Sequence, residues 1–314
     1  MASQAIAAKA RKRMSKARRS EAVAGLLFAS PFIIGLLVFT VFPFFLSLYY
    51  SFTNYNMKSA PSFIGFKNYE IMLFNDSAFW PSFGNTLYHV LVATPITIVF
   101  GVVIALLLNN RLRGINIYRT IFYLPNVVSL VAMSLLWLWL FQPSFGLLNQ
   151  LLSPIYNLFG IQPIGWLSSP DTSKLSIALM GLWNCGGAMV IYLAQLKDIP
   201  GELYEAADID GAGGLRKLFR ITLPLMTPAI FYQVVMSIIS GFQMFLQAYI
   251  MTKGGPARST YYFAYYIYDT AFKDGQMGMA SALSWFLLIV TMIVTVVIFG
   301  LSQKWVFYLG GEEE

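Results

Sequence analysis

Six stretches of this chain, residues 24–50, 85–109, 121–141, 175–196, 227–250 and 279–301, contain no Asp, Glu, Lys or Arg. Each is long enough to cross a bilayer, which takes about 20 mostly apolar residues in a helix. Helices are the spanning element these stretches permit, because lipid offers a backbone amide no partner outside the chain itself. The ten-residue alternation of a membrane β-barrel is absent. A water-soluble alternative fails on composition: 11% of the 314 residues are charged, against about 25% in ordinary soluble domains. The sequence therefore predicts an all-α membrane protein with six transmembrane helices.

Charge sets the expected orientation. Lys9, Arg11, Lys12, Arg13, Lys16, Arg18 and Arg19 precede the first stretch. Arg111, Arg113 and Arg119 lie in the second connection, Lys197, Arg216, Lys217 and Arg220 in the fourth, and Lys304 in the tail. The opposite side holds only Lys58, Lys67, Lys174, Lys253, Arg258 and Lys273. The positive-inside rule then puts both termini in the cytoplasm. The expected organisation is a basic cytoplasmic segment at 1–23, a permease domain at 24–301 and a cytoplasmic tail at 302–314. The basic start reads as a topogenic cluster or an anchor on anionic lipid. It ends directly at a spanning helix, which argues against nucleic acid. The apolar run after it is too long for a signal peptide. The single cysteine, Cys185, falls within the fourth stretch, so no intrachain disulfide can form.

Two connections carry structure of their own. On the expected outer side, Leu147, Leu148, Leu151, Leu152, Ile155 and Leu158 have the spacing of a helix lying in the interface. Pro154 is expected to kink it. Trp137, Trp139 and Trp166 read as interface anchors. On the inner side, the connection 197–226 is long for a loop, and long loops are usually functional or disordered. Here Pro200 precedes a short helical run with an apolar side (Leu203, Ala206, Ala207), stopped at Gly211. A second short basic helix is expected from Leu215 to Phe219. A helix-turn-helix across the cytoplasmic mouth is what a docking element would look like.

That loop also carries a motif. Glu205-Ala206-Ala207, then Gly211, then Ile221, Leu223 and Pro224 resembles the EAA motif of importer-type ABC transporter permeases without a departure in residue or spacing. Phe63 to Tyr69, Asn85-Thr86, Arg119 with Tyr123-Leu124-Pro125, and Thr252 to Pro256 are similar to the carbohydrate branch, the larger subunit of maltose and glycerol-phosphate importers. The maltose subunit's extra helices and large outer domain have no counterpart here. The resemblance implies an importer-type permease fold in a bacterial or archaeal cell membrane. It implies a second homologous permease, two ATPase subunits holding ATP and Mg, an external substrate-binding protein and an oligosaccharide substrate. No cofactor on this chain and no catalytic or metal site is implied. Glu205, Ala206, Ala207, Gly211, Ile221, Leu223 and Pro224 would couple to the ATPase; Glu205 would meet a basic group there or cap its own backbone.

Energetics read from the residues agrees. An ion-coupled carrier usually buries ionisable groups, and His89 alone in the six stretches titrates near neutral pH. The chain has no phosphate-binding G-x-x-x-x-G-K-[ST] loop, so energy must come from elsewhere. An ion-coupled or facilitative sugar carrier working alone is the competing reading; an intramembrane enzyme lacks titratable residues.

The fifth stretch predicts a polar face. Gln233, Ser237, Ser240, Gln243 and Gln247 recur at steps of four, three, three and four, within an arc of about 120° that Met236 and Met244 share. They line a path or hydrogen-bond between helices; amides suit sugar hydroxyls, being donor and acceptor at once. The resemblance puts substrate contacts near Asn184, Cys185 and Ala188, and near Ser240 to Met244. Small residues there also serve close packing. His89 reads as a hydrogen-bonded structural residue.

Overall fold

The computed structural model describes residues 16–110 and 113–307, with backbone alone for 16–19 and 22. Most of the basic segment 1–23, Arg111 and the end of the tail 302–314 lie outside the described residues. In chain order come α1 (Val23–Ser51), α2 (Phe79–Leu108), α3 (Ile115–Val127), α4 (Leu130–Leu140), α5 (Leu147–Phe159), α6 (Pro170–Leu182), α7 (Gly186–Asp198), α8 (Gly201–Ile209), α9 (Gly214–Phe242), α10 (Leu246–Met251), α11 (Phe263–Tyr268) and α12 (Met277–Ser302). α1, α2, α9 and α12 are each long and apolar enough to cross a membrane, and the bent pairs α3–α4 and α6–α7 bring the number to six if each pair is one broken span.

The bends depart from the straight spans expected at 121–141 and 175–196. Between α3 and α4 the axis turns by 103°. Pro125 sits in a 3-10 turn, Val128 is extended, and Ser129 restarts the helix by accepting from Ala132 N at 3.3 Å. Eleven residues in α4 rise about 16 Å, half of a hydrocarbon core of about 30 Å. Between α6 and α7 the turn is 49°. It brings the start of α7 against α3 so closely that a Cβ on Gly186 would lie 2.3 Å from the Phe122 carbonyl oxygen.

The fifth span differs most. It begins at Gly214, not Thr227, because the expected second short helix is its first turns, continued through a π turn at Leu218–Thr222. It stops at Phe242, not Ile250: Gln243 closes the helix onto the Ser240 carbonyl, Phe245 leaves helical geometry, and α10 follows. Pro154, expected to kink α5, lies inside an unbroken helix. The Gln150 carbonyl that Pro154 cannot reach takes a 2.7 Å bond from Ser153 Oγ instead.

Side chains picked out by sequence tie the bundle's loops. Asn68 Nδ2 donates to the Ser51 and Thr53 carbonyls, each at 2.8 Å, and Tyr69 to Ser51 Oγ at 2.8 Å. Asn85 donates to the Arg258 carbonyl at 2.8 Å, and Thr86 Oγ1 accepts from Phe263 N at 2.8 Å, so α2 holds the loop before α11. Arg119 on α3 donates to the Leu108 carbonyl at 2.8 Å, satisfying an end of α2 that has no partner of its own. α1 docks by its second half, where Trp285 Nε1 meets Ser47 Oγ at 3.2 Å and Phe44 stacks at 4.7 Å. Trp137 and Trp166, expected as interface anchors, pack with Phe141 and Trp183 into one aromatic cluster. Trp166 Nε1 donates to Asn149 Oδ1 at 2.8 Å. Trp139 alone of the three stays exposed.

Candidate functional site

Two places gather the sequence-predicted residues: a cavity between α2, α6–α7 and α9, and the surface of α8. The corners of the bent pairs α3–α4 and α6–α7 line the first, where with α2 and α9 they enclose a cavity of about 550 Å³. Asn126 at the first corner joins them. With its amide oxygen turned to the start of α7, it accepts from Gly186 N at 3.2 Å and Gly187 N at 2.9 Å, while Nδ2 donates to Asn184 Oδ1 at 2.7 Å. Those N–H groups belong to the first turn of a helix and have no intrahelical partner, so a side chain must supply one.

Of the predicted path residues, Asn184, Cys185, Ala188, Gln233, Ser237, Ser240, Met244 and Gln247 line this cavity. Gln243 does not. Its position ends α9, so the 100° step that kept it on the stripe no longer applies, and its side chain is exposed elsewhere. Gln247 returns to the cavity on α10. The stripe's recorded bonds stay local: Gln233 Nε2 to Ser237 Oγ at 3.4 Å, and Ser240 Oγ to the Ser237 carbonyl at 3.1 Å. No Asp, Glu, Lys or Arg is in the lining. What the walls offer is uncharged donors and acceptors interleaved with Met133, Met180, Met236 and Met244. That surface can solvate hydroxyl groups and slide past apolar ring faces. Asn184, Tyr232, Met236 and Ser240 are exposed in the isolated chain, so one wall is unfinished.

The sequence missed five polar lining residues, His89, Thr94, Thr97, Asn126 and Tyr232. Thr94, Thr97 and Asn126 lie in an apolar run or a turn, where their types are ordinary, and carry no readable signal. His89 was the one titratable group in the spans, yet was read as structural. It is buried, lines the cavity, and its Nδ1 has no hydrogen-bond partner.

The second place is built as expected. Pro200 precedes α8, Glu202 stands in its first turn, and Gly211 follows it at φ +71°. Gly211 N donates to the Asp208 carbonyl at 3.1 Å and Ala212 N to the Ala207 carbonyl at 2.8 Å, the paired bonds of a Schellman cap. Glu205 is the fifth residue of α8 and exposed. A capping side chain reaches back from the third position, so the backbone-cap alternative falls. Leu203, Glu205, Ala206 and Ile209 face outward, Ile209 at 87% exposure. Tyr204 faces the other way and shares a 2.9 Å hydrogen bond with Thr222 on α9. Lys217 Nζ meets Asp208 Oδ1 at 2.6 Å. Ile221, Leu223 and Pro224 are not on the docking helix; Ile221 and Leu223 pack the foot of α9 onto the core of α2 and α7.

Comparison with known proteins places this geometry. Residues 97–307 match the model of the family described as binding-protein-dependent transport system inner membrane component. The chain is 41% identical to the probable ABC transporter permease protein YesP of Bacillus subtilis over 95% of this chain and 96% of that one. It is 36% identical to the lactose transport system permease protein LacF of Rhizobium radiobacter, over 82% and 87%. To the trehalose/maltose transport system permease protein MalF of Thermococcus litoralis it is 30% identical, over 90% and 95%. The fold superimposes on a chain of the crystal structure of a bacterial alginate ABC transporter in complex with its pentasaccharide-bound periplasmic protein. The TM-score is 0.76 and the identity 23%, over 91% of this chain and 95% of that one.

Proposed function

The chain belongs to the binding-protein-dependent transport system inner membrane components, and we propose that within its sugar importer the cavity is this subunit's half of the path and α8 the ATPase's seat. It is a multi-pass permease subunit of an ABC importer for a sugar or oligosaccharide, as its relatives are named. The observation that carries the path assignment is the cavity lining. Gln233, Ser237, Ser240, Gln247 and Asn184 supply uncharged hydrogen-bonding groups and no fixed charge, which favours a neutral substrate. The exposed wall formed by Asn184, Met236 and Ser240 calls for a second permease subunit to close it.

The assignment of α8 rests on its shape and exposure. Small side chains at Ala206 and Ala207, apolar Leu203 and Ile209, and free Glu205 suit a cleft in a protein partner. Two ATPase subunits would carry the ATP and Mg, and an external binding protein would deliver the sugar. On this reading both termini are cytoplasmic, as the charge distribution asks. The test is reconstitution in liposomes with the second permease, the ATPase and the binding protein. Sugar uptake should require both ATP on the α8 side and the binding protein. Uptake by this chain alone, without ATP, would mean a carrier instead.

A further inference from the structure

We propose that His89 is a substrate-contacting, specificity-determining residue of the path, its imidazole presented from the cavity wall to a sugar hydroxyl. The inference deepens the proposed path and rests on it. His89 is 8% exposed, and its buried Nδ1 has no partner. Tyr262 is wholly buried, and its hydroxyl has none either. The two rings meet edge to face at 5.3 Å. Buried polar groups are nearly always satisfied, and leaving one unpaired is costly; of the two residues only His89 lines the cavity, so its imidazole alone can find a partner there.

The rest of α2 sharpens the question. One turn before His89, Asn85 and Thr86 are both engaged with the loop before α11. Beyond it, Thr97 bonds back to the Ala93 carbonyl at 2.9 Å. His89 is thus a polar group that helix packing leaves unused, set in the cavity wall with Met244 and Gln247. A neutral imidazole donates at one nitrogen and accepts at the other, so it matches the hydroxyls of a neutral sugar without bringing charge. A metal is a poor occupant: among the described residues no group of His, Cys, Asp or Glu could hold one.

The test uses the reconstituted complex and labelled lactose, maltose, trehalose and arabinotriose, with an alginate trisaccharide as the charged control. Whichever sugar the wild-type complex takes up fastest serves as the probe. His89→Phe should cut its uptake about tenfold, the scale of one lost buried hydrogen bond, and reorder the sugars. His89→Gln, which restores a donor and an acceptor, should return to within about threefold. Wild-type uptake in His89→Phe overturns the proposal. So does an equal loss in His89→Phe and His89→Gln for every sugar with a lower melting temperature, which marks a structural residue. If His89→Phe does not assemble, wild-type uptake of every sugar in His89→Asn, whose shorter side chain does not reach the same place, overturns it. Failure of the wild type to take up any of these sugars overturns the sugar reading itself, before a variant is made.

Discussion

Gly211 allows the ATPase seat to be tested by backbone geometry alone. Its φ is +71°, and a Cβ built on it would meet no heavy atom within 4 Å. Substitution therefore costs nothing in sterics within this chain; the cost is the left-handed conformation, about 1–2 kcal/mol for an ordinary L-residue. Since α8 buries little, that strain is relieved most cheaply by unwinding its last turn, which holds the Gly211–Asp208 and Ala212–Ala207 bonds. In Gly211→Ala the intact cap is then disfavoured about 5- to 30-fold, and any partner that needs the cap binds correspondingly more weakly. Gly211→Asn, a residue that tolerates the left-handed region, should stay within about threefold of wild type. Gly211→Asp adds a third carboxylate beside Asp208 and Asp210 and a competitor for Lys217, so it should abolish uptake and release the ATPase. All three should insert in the membrane normally. The assay is co-purification of the ATPase with substrate-stimulated ATP hydrolysis in the reconstituted complex. Equal, wild-type values in Gly211→Ala and Gly211→Asp would refute the argument, because no reading of α8 as the coupling element survives loss of its cap without effect.

Four further outcomes are expected. Gln233→Leu and Gln247→Leu should lower uptake several-fold in an assembled complex, whereas Gln243→Leu should transport as wild type; the reverse order would return Gln243 to the path. Gly186→Ala, whose Cβ meets the Phe122 carbonyl at 2.3 Å, should cost about 1–3 kcal/mol as an overpacked site, seen as a lower melting temperature in detergent. Tyr204→Phe removes the 2.9 Å bond to Thr222, worth about 1 kcal/mol, and should lower sugar-stimulated ATP hydrolysis with the ATPase still bound. Cysteines at the exposed positions Ser59 and Asp171 should react with impermeant thiol reagents from outside, and one at exposed Asp210 only in opened cells; the opposite pattern would invert the orientation.

The spans were legible because lipid imposes a rule on composition that few sequences satisfy by accident. Six uncharged stretches located four continuous candidate spans and two bent pairs, and Gly211 announced its own cap. What escaped was where helices break for reasons other than apolarity. The bend after α3 depends on Ser129 competing for a backbone N–H next to Pro125, a local contest that hydropathy averages away. The fifth span was begun too late because Arg216, Lys217 and Arg220 look like loop residues, although charged side chains cost a helix nothing where it leaves the membrane. It was ended too late because no residue type marks the break at Gln243; neighbours decide it. That error carried Gln243 into the path by extrapolating a 100° step across a break. That His89 Nδ1 has no partner escaped for a different reason. Whether a buried histidine finds a partner is a fact about its surroundings, and a single sequence does not contain it.

The two sites are joined by one element, and its construction says how. α9 spans 29 residues, about 43 Å at 1.5 Å per residue. Its foot is tied to α8 by the Tyr204–Thr222 hydrogen bond and the Lys217–Asp208 pair. Of these the exposed pair contributes little and the half-buried hydroxyl bond carries the attachment. Gln233, Ser237 and Ser240 stand roughly three to five turns above Thr222 on the same helix. Between them, Met226 and Ala229 are packed into the core formed with α2 and α7, so the shaft slides or tilts with its neighbours and does not bend freely. The π turn at Leu218–Thr222 lies just below that packed stretch, and Pro228 within it leaves one further carbonyl without its helical donor. On the proposed reading, a displacement of α8 would reach the cavity wall through Gln233, Ser237 and Ser240, while Gln247 stands apart on α10. Coupling of this kind requires a two-position element biased from both ends. α9 meets the geometric half of that requirement, and comparing the Tyr204→Phe and Gln233→Leu variants singly and together measures the other half: if uptake losses multiply with no interaction term, α9 does not transmit.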